Sequence, residues 1–552
     1  MTGNQVSVEN GVERVVSMTA TRKRQRRLFY IILVITIVPL LVALISNLNF
    51  GWVPLGDDAA ISWRALEVFT LHPPLLGQLT LATTNNALVF DLGPLQYFML
   101  SPFVIVFGVN GGLVGAYFWT TVSTSTLIFI AWKLFGKAGL IGAGISFSLL
   151  FIMLPTIVLN CIWNPYFGLY FFALFLLSSA AALLDTTKWL VVSIFSGSIA
   201  MQSHLIYFLP ILFVIALTFG LILYRDTQFR RRNWISHGLV PSIICWILPL
   251  LQQLFGSEGN LSNLLGSLHG QSTFGIFNAA KMGSYLLISP PKLYASGPFI
   301  YNSSLMGGTY VIVALILLVA LLAVSIVMRN SLGSLLLFLN VALWISFFSA
   351  VFEISKVSTN LELSFSYEAN IFVVLRLLFW AILVFTCGNL LLDKMKSIQP
   401  RHVRKSMPIL TSASLVALLV LAAISALAIS GGGINNAELS SDYGQMSELR
   451  YTTNLVLANY PPQGAQVDIN FVEGNDLSMD YGLAYALNTH GWHATVPGVF
   501  GQSVGSSAKY RAGTPDFFIT DSSNSIQICV LKPEPNSGQF VRPGKCKSYK
   551  WQ

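Results

Sequence analysis

The sequence predicts a polytopic α-helical membrane protein with a small extracytoplasmic α/β domain at its C-terminal end. Three observations carry that prediction. Hydrophobic residues make up 54% of the 552 residues, charged residues only 10%, and the mean hydropathy is +0.66, whereas soluble domains carry about 25% charged residues. Apolar runs recur from residue 28 to residue 430, most of them near the roughly 20 residues that cross about 30 Å of hydrocarbon as a helix. Beyond residue 431 those runs give way to shorter periodic and alternating segments.

The first span follows a basic cluster, Arg22-Lys23-Arg24-Gln25-Arg26-Arg27, and runs over Leu28–Leu48. No small-residue cleavage site follows it, so it reads as an uncleaved helix and not a signal peptide. Its basic flank sets the N-terminus on the cytoplasmic side. Residues 1–27 form a cytoplasmic tail, of which 1–21 are polar, without periodicity, and expected to lack regular structure. Ten further spans are expected at 112–132, 138–159, 165–184, 188–203, 205–224, 234–254, 309–328, 332–351, 371–392 and 407–430, with 188–224 broken at Ser203-His204. That makes about 11 transmembrane helices in a unit covering 28–430.

The net charge of +9 (32 basic, 23 acidic) resides largely in short loops. Such a distribution orients a membrane protein and does not mark a nucleic-acid binder. Lys133/Lys137, Lys188, Arg225–Arg232, Arg329 and Lys394–Lys405 all fall inside on this parity. The parity requires Leu95–Val109, about 15 residues, to be an interfacial or re-entrant helix. It sets 49–111, 160–164, the surroundings of His204, 255–308, 352–370 and 431–552 outside.

The exit Ser430-Gly431-Gly432-Gly433 is flexible in character. Beyond it, Ser447–Tyr460 and Leu477–His490 read as helices, and Gln466–Val472, Asp516–Thr520 and Ile526–Leu531 as strands. At about 120 residues this domain holds its own core. Of the five cysteines, Cys161, Cys245 and Cys387 lie in or beside apolar segments and read as inert, while Cys529 and Cys546 share the outer domain and are expected to form a disulfide.

Residues 51–109 concentrate the polar chemistry beside lipid. The centre is Gly56-Asp57-Asp58-Ala59, followed by His72-Pro73-Pro74, Asn85-Asn86 and Asp91-Leu92-Gly93-Pro94. Carboxylates at a membrane interface are costly and are usually retained for function. The plainer reading makes an Asp the N-cap of a helix over Ala59–Thr70, but a cap needs only one. A carboxylate is suited to take a proton from an attacking hydroxyl, and a second to bind a divalent cation (Mg, Mn or Zn) or position an acceptor. His204 reads three ways: a phosphate contact, a helper of Asp58 at a metal, or a hydrogen bond within the bundle. His72 is either a loop contact or a solvated turn.

Outer-face cations suited to an anionic ligand are Arg64, Lys281, Lys292, Lys356 and Arg376. Arg376 lies within an apolar span and reads either as a bidentate phosphate ligand or as an ion-pair partner of Glu362 or Glu368. Arg64 has Glu67 as its i+3 neighbour, so a local ion pair is the simpler reading. Residues 255–308, rich in Gly, Ser and Asn, are expected to be a long irregular lid in which His269, Gln271, Lys281 and Tyr285 are candidate contacts. Residues 431–552 show no nucleotide loop, metal cluster or triad; a glycan-binding or acceptor-recognising domain and a structural cap both fit.

The runs Gly56-Asp57-Asp58-Ala59, Pro73-Pro74-Leu75-Leu76-Gly77, Gly93-Pro94-Leu95-Gln96-Tyr97-Phe98 and Phe107-Gly108 resemble the first outer loop of type C membrane glycosyltransferases, in particular the bacterial protein mannosyltransferase-like and aminoarabinose transferase-like enzymes. Trp163-Asn164-Pro165 and Gln202-Ser203-His204 fit the same pattern, and the resemblance covers about residues 28–225. It implies an inverting enzyme that moves a sugar from a polyprenyl-phosphate carrier to an envelope glycan, lipid or protein outside the plasma membrane. It makes Asp57 and Asp58 the catalytic pair and Asn164, Gln202 and His204 candidate substrate contacts. Two departures stand out: Asp-Asp replaces a frequent Asp-Glu, and Asp91-Leu92-Gly93-Pro94 replaces a frequent His-Pro-Gly-Pro, so that Asp91 takes the histidine's place. The rival expectations are a flippase of a lipid-linked saccharide, and a non-catalytic assembly protein that acts through residues 431–552.

Overall fold

The computed structural model describes residues 3–80, 88–153, 162–227, 233–256, 259–267, 273–289, 307–328, 331–357, 369–398, 416–421, 423–424, 437–459, 466–469, 477–496, 517–522, 525–530 and 545–550. Among them, eight helical stretches are long and apolar enough to cross a membrane, as in a multi-pass membrane protein. Helix α1 (Gly3–Asn49) contains the first span. Residues 3–21, expected to lack regular structure, instead continue α1. Once the apolar span has nucleated a helix, each added residue contributes a hydrogen bond without a new nucleus.

Two short helices follow, α2 (Gly56–Leu66) and α3 (Leu95–Phe107). Helix α4 (Gly111–Met153) breaks at Gly136, whose φ of 62° suits only glycine well, between the basic residues Lys133 and Lys137. Next come α5 (Asn164–Leu184), opened by Pro165 in its first turn, and α6 (Trp189–Ser203). The expected break at Ser203-His204 is present: His204 is extended (φ −156°, ψ 140°), and a 3₁₀ turn, Leu205–Tyr207, leads into α7 (Phe208–Arg225). Helices α8 (Val240–Phe255), α9 (Asn260–Ser267), α10 (Ile276–Ile288), α11 (Gly308–Val327), α12 (Ser331–Ser355) and α13 (Ile371–Ile398) complete the described bundle. Two helices, α9 and α10, therefore occupy the 255–308 stretch that composition alone suggested was irregular. Of the last expected span, 407–430, only 416–421 and 423–424 lie within the described residues.

Hydrogen bonds show which helix ends share a face. Asn164 Nδ2 donates to Ser203 O (3.0 Å), Leu209 N to Glu353 Oε1 (2.9 Å), and Phe274 N to Val357 O (2.9 Å). These join the start of α5, the α6–α7 break, the segment before α10 and the end of α12 on one face. On the other face Thr187 Oγ1 meets His237 Nδ1 at 3.2 Å. This is the relative sidedness that the basic-loop parity requires.

Helix α3 has 13 residues, about 20 Å at 1.5 Å per residue and too short to cross. Its first turn is tied to the common face, with Leu95 N on Gln202 Oε1 (3.3 Å) and Gln96 Nε2 donating to Ile162 O. Gly108, just past its end, accepts from Tyr485 of the C-terminal unit, whose helix packs on α2 at the same face. Both ends of α3 thus lie on one side.

The C-terminal unit contains α14 (Ala437–Asn459), β1 (Gln466–Ile469), α15 (Leu477–Thr489), β2 (His493–Thr495), β3 (Phe517–Ser522), β4 (Ser525–Val530) and β5 (Lys545–Lys550). The sheet order is β2-β1-β3-β4-β5, parallel between β2, β1 and β3 and antiparallel from β3 onward. Strands β2 and β5 were absent from the sequence reading: β2 has three residues, and β5 carries three lysines in six. The described helices of the unit pack onto the membrane helices. Leu449, Val456, Leu483, Ala484, Tyr485 and Leu487 are buried in the same apolar cluster as the membrane helices.

The register sets Cys529 directly opposite Cys546 on β4 and β5, and directly opposed residues on an antiparallel pair have Cα atoms about 4.5–5.5 Å apart, within disulfide range. Peptide mapping of unreduced protein from an oxidising compartment should recover these two cysteines in one linked peptide. Cys245 and Cys387, both free, should be recovered unlinked.

Candidate active site

The site is built on a two-stranded turn in the 51–109 loop. Gly77 N donates to Asp91 O (3.0 Å), Asp91 N to Gln78 O (2.8 Å) and Thr80 N to Val89 O (2.8 Å). Gly77 lacks a side chain where one is excluded, since a Cβ there would lie 2.7 Å from the Asp91 Cβ. A Cβ on Gly93 would likewise collide with the Gln202 amide. Asn260, at the start of α9, donates to Phe90 O and accepts from Phe90 N, and Asn263 Nδ2 donates to Leu88 O. The stretch read as a lid therefore holds the outer strand of the turn in register.

Asp57 and Asp58 lie in the first turn of α2, behind Gly56 (φ 48°). The N-cap is Leu55, with no side-chain cap bond, so Asp57 is not the cap that the plainer reading required. It accepts from Gln78 Nε2 at Oδ1 (3.0 Å) and from the side chain of Trp163. Gln78 Oε1 in turn accepts from the Tyr97 hydroxyl (3.2 Å). Asp57 remains exposed, yet desolvation by surrounding protein raises its pKa against the opposing pull of Gln78 and Trp163. Asp57 is thus a solvent-accessible carboxylate set among protein groups that disfavour its charge. Asp58 is half-buried, and its backbone carbonyl accepts from Ser62 Oγ (2.7 Å).

Asp91 is 1% exposed. Oδ2 accepts from Asn164 Nδ2 (2.8 Å) and Oδ1 from Leu205 N (3.2 Å). Burial raises its pKa well above the usual carboxylate range; the two hydrogen bonds oppose this and the charge of Asp57 adds to it. Gln202 is also buried, accepting from Leu95 N and donating to Cys245 O (2.7 Å). Asp91, Asn164 and Gln202, expected as substrate contacts, are thus engaged by the chain itself, tying the loop to the helix ends.

His204 is half-buried, and its Nδ1 accepts from Ile206 N (3.3 Å), capping the 3₁₀ turn. The same Nδ1 would be needed free for one mode of metal ligation. Among the described residues, no three His, Cys, Asp or Glu side chains converge. His72 is exposed on the turn after α2, its backbone N–H bonded to Thr70 Oγ1 (3.2 Å).

Arg376 is buried, and its guanidinium donates to Leu286 O and to Ser289 Oγ (2.8 Å). It closes the C-terminal end of α10, where orphan carbonyls and the helix dipole favour a cation. His269, Gln271, Lys292, Glu362 and Glu368 lie outside the described residues. Lys281 is half-buried on α10, Tyr285 meets Tyr310 edge-on (5.1 Å), and Lys356 lies over Phe352 (5.3 Å). The local ion pair of Arg64 with Glu67 is present at 2.6 Å, with Arg64 6.0 Å from the Tyr97 ring centroid.

Of the groups around Asp57, Gln78 lies outside every run quoted from the sequence, whereas Trp163 and Tyr97 lie inside quoted motifs with no role assigned to either. Gln78 directly follows the Pro73–Gly77 run, and Trp163 directly precedes Asn164. Those neighbourhoods were the only available signals.

Asn164→Leu removes a donor from a buried carboxylate, a change that costs about 1–3 kcal/mol. It should lower the thermal midpoint in detergent. Burial raises Glu67 to about 7 despite Arg64. The folded state therefore holds a proton there that the unfolded chain has released, and the associated stability, full below about 4.5, is lost as pH rises toward about 7. Glu67→Gln should flatten that slope in thermal unfolding across the same interval.

No family model matches this sequence, and no curated protein does. Among solved structures, the chain is similar to ArnT from Cupriavidus metallidurans in the apo state, at 13% identity and a TM-score of 0.48, covering 84% of this chain and 85% of that one. It is also similar to the archaeal oligosaccharyltransferase AglB from Archaeoglobus fulgidus in complex with an inhibitory peptide and a dolichol-phosphate, at 12% identity and a TM-score of 0.33, covering 88% of this chain and 69% of that one.

Proposed function

We propose that this chain is an integral membrane glycosyltransferase that moves a sugar from a polyprenyl-phosphate donor to an extracytoplasmic envelope glycan, lipid or protein. The observation that carries the reading is Asp57: a solvent-accessible carboxylate with a raised pKa, held by hydrogen bonds from Gln78 and Trp163.

In the proposed reaction an acceptor hydroxyl attacks the anomeric carbon from the face opposite the phosphate, inverting it. The new C–O bond forms as the bond to the donor phosphate breaks. The electron pair leaves with polyprenyl phosphate, and the hydroxyl proton passes to Asp57. The leaving group is an anion of low basicity and needs no strong general acid. Arg64 on the α2 side and Lys281 on the α10 side are the half-buried cations best suited to the phosphate charge. Gln78, whose carbonyl is held by Tyr97, presents its N–H to Asp57 and favours the ionised, proton-accepting form.

Purified protein with radiolabelled polyprenyl-phosphate sugars and a cell-envelope extract tests the reading. Wild type should transfer label, and Asp57→Asn should lose about 10²–10⁴-fold in rate while still binding donor. Asp58→Asn reports whether the second carboxylate positions the acceptor. A base acts only when ionised, and burial raises Asp57. The acid limb of the wild-type rate profile should therefore lie above the ordinary aspartate range, with activity increasing as pH rises through it. Full transfer by Asp57→Asn, or no transfer from any donor by wild type, would overturn the proposal.

A further inference from the structure

Helix α15 of the C-terminal unit packs against α2, the helix that carries Asp57 and Asp58. Its Tyr485 is fully buried and donates from its hydroxyl to Gly108 O (3.0 Å), at the junction between α3 and α4. The same hydroxyl is in hydrogen-bond contact with Ser62, whose Oγ donates to the carbonyl of Asp58 (2.7 Å). One turn earlier, Gly482 lets α15 reach the backbone just before α2: a Cβ at Gly482 would lie 2.8 Å from Pro54 O. Helix α14 makes a parallel approach, its Arg450 guanidinium filling the space beside Gly51 that any side chain there would need. The apolar residues of α2, Ala59, Ala60, Ile61, Trp63 and Ala65, are buried in the same cluster as Leu483, Ala484 and Leu487 of α15.

We infer that the C-terminal unit acts as a clamp on the catalytic helix, with Tyr485 as a positioning residue that sets where α2 holds Asp57. This rests on the proposed role of Asp57 and extends it, giving residues 431–552 a part in turnover beyond that of a cap or an acceptor-binding module. The physical reason is rigidity. Helix α2 has 11 residues and no side-chain N-cap, too short to hold itself in a helical geometry in water. Its order must come from what packs on it. A general base displaced by about an ångström loses rate steeply, while donor binding elsewhere is little affected.

Tyr485→Phe and Gly482→Ala are the variants, read by sugar transfer and by hydrogen exchange of the α2 amides. Loss of one hydrogen bond predicts a fall in kcat of about five- to tenfold for Tyr485→Phe, with donor KM unchanged and faster exchange over residues 57–66. The acid limb of the rate profile should also move to lower pH as Asp57 becomes better hydrated. The titratable groups that surround Asp57 are Asp58, Arg64 and Glu67 on α2, Asp91 on the loop strand and Tyr97 on α3. None of them is substituted, so a moved limb reports displacement of α2. A merely structural role would lower the active fraction and leave the limb in place. Gly482→Ala should reproduce the effect without touching any hydroxyl.

Unchanged α2 exchange and unchanged kcat in both variants would overturn the clamp, as would a rate loss matched by the lost folded fraction with an unmoved limb. If wild type transfers no sugar, the proposed function fails. The exchange measurement still decides the clamp, because it needs no substrate.

Discussion

The site depends on the carboxylate of Asp91, which holds two helix ends to one loop. Its oxygens take a side-chain N–H from Asn164 at the start of α5 and a backbone N–H from Leu205 at the α6–α7 break. Its own backbone pairs with Gln78 and Gly77. Without it, the turn that presents Gln78 to Asp57 would lose its tie to the start of α5 and to the α6–α7 break. A buried carboxylate is stable here only because each oxygen is met by a donor. Its neighbours follow the same rule, Gln202 using both ends of its amide and Asn164 Nδ2 donating to acceptors on two separate elements.

Much of this architecture was legible in the sequence. The apolar runs, the break at Ser203-His204, the separation of two spans at Lys133 and Lys137, the short helix after Pro94 and the Arg64–Glu67 pair all depend on local composition or on neighbours within one helical turn. Local pattern registers such features. The partners of Asp57 were not legible. Gln78 lies 21 residues away and Tyr97 a further 19, and neither an amide nor a phenol disturbs the apolar periodicity around it. Only the tertiary fold makes them neighbours.

Arg376 shows the same limit from another direction. An arginine in an apolar span is conspicuous, and its chemistry admitted a phosphate or a carboxylate partner. The partner is the end of α10, in a stretch whose Gly, Ser and Asn content concealed two helices. Helix α9 has only eight residues and is fixed by side-chain amides gripping the loop backbone. Tertiary bonds of this kind override weak local propensity. The C-terminal unit is similar: β1, α15 and β3 were readable, whereas its sharing of one core with the membrane helices was not.

The Asp91 junction also constrains how the chain is assembled. Asp91 is synthesised 73 residues before Asn164 and 114 before Leu205. Throughout that interval its carboxylate has neither of these donors and must stay hydrated at the bilayer surface. The loop therefore cannot close on α2 until α5 and α6 have been inserted and the chain has turned back into α7. Completion of the site is thereby coupled to correct threading of the helices between them, and a nascent chain with a misinserted α5 or α6 would carry both aspartates of α2 but no completed site around them.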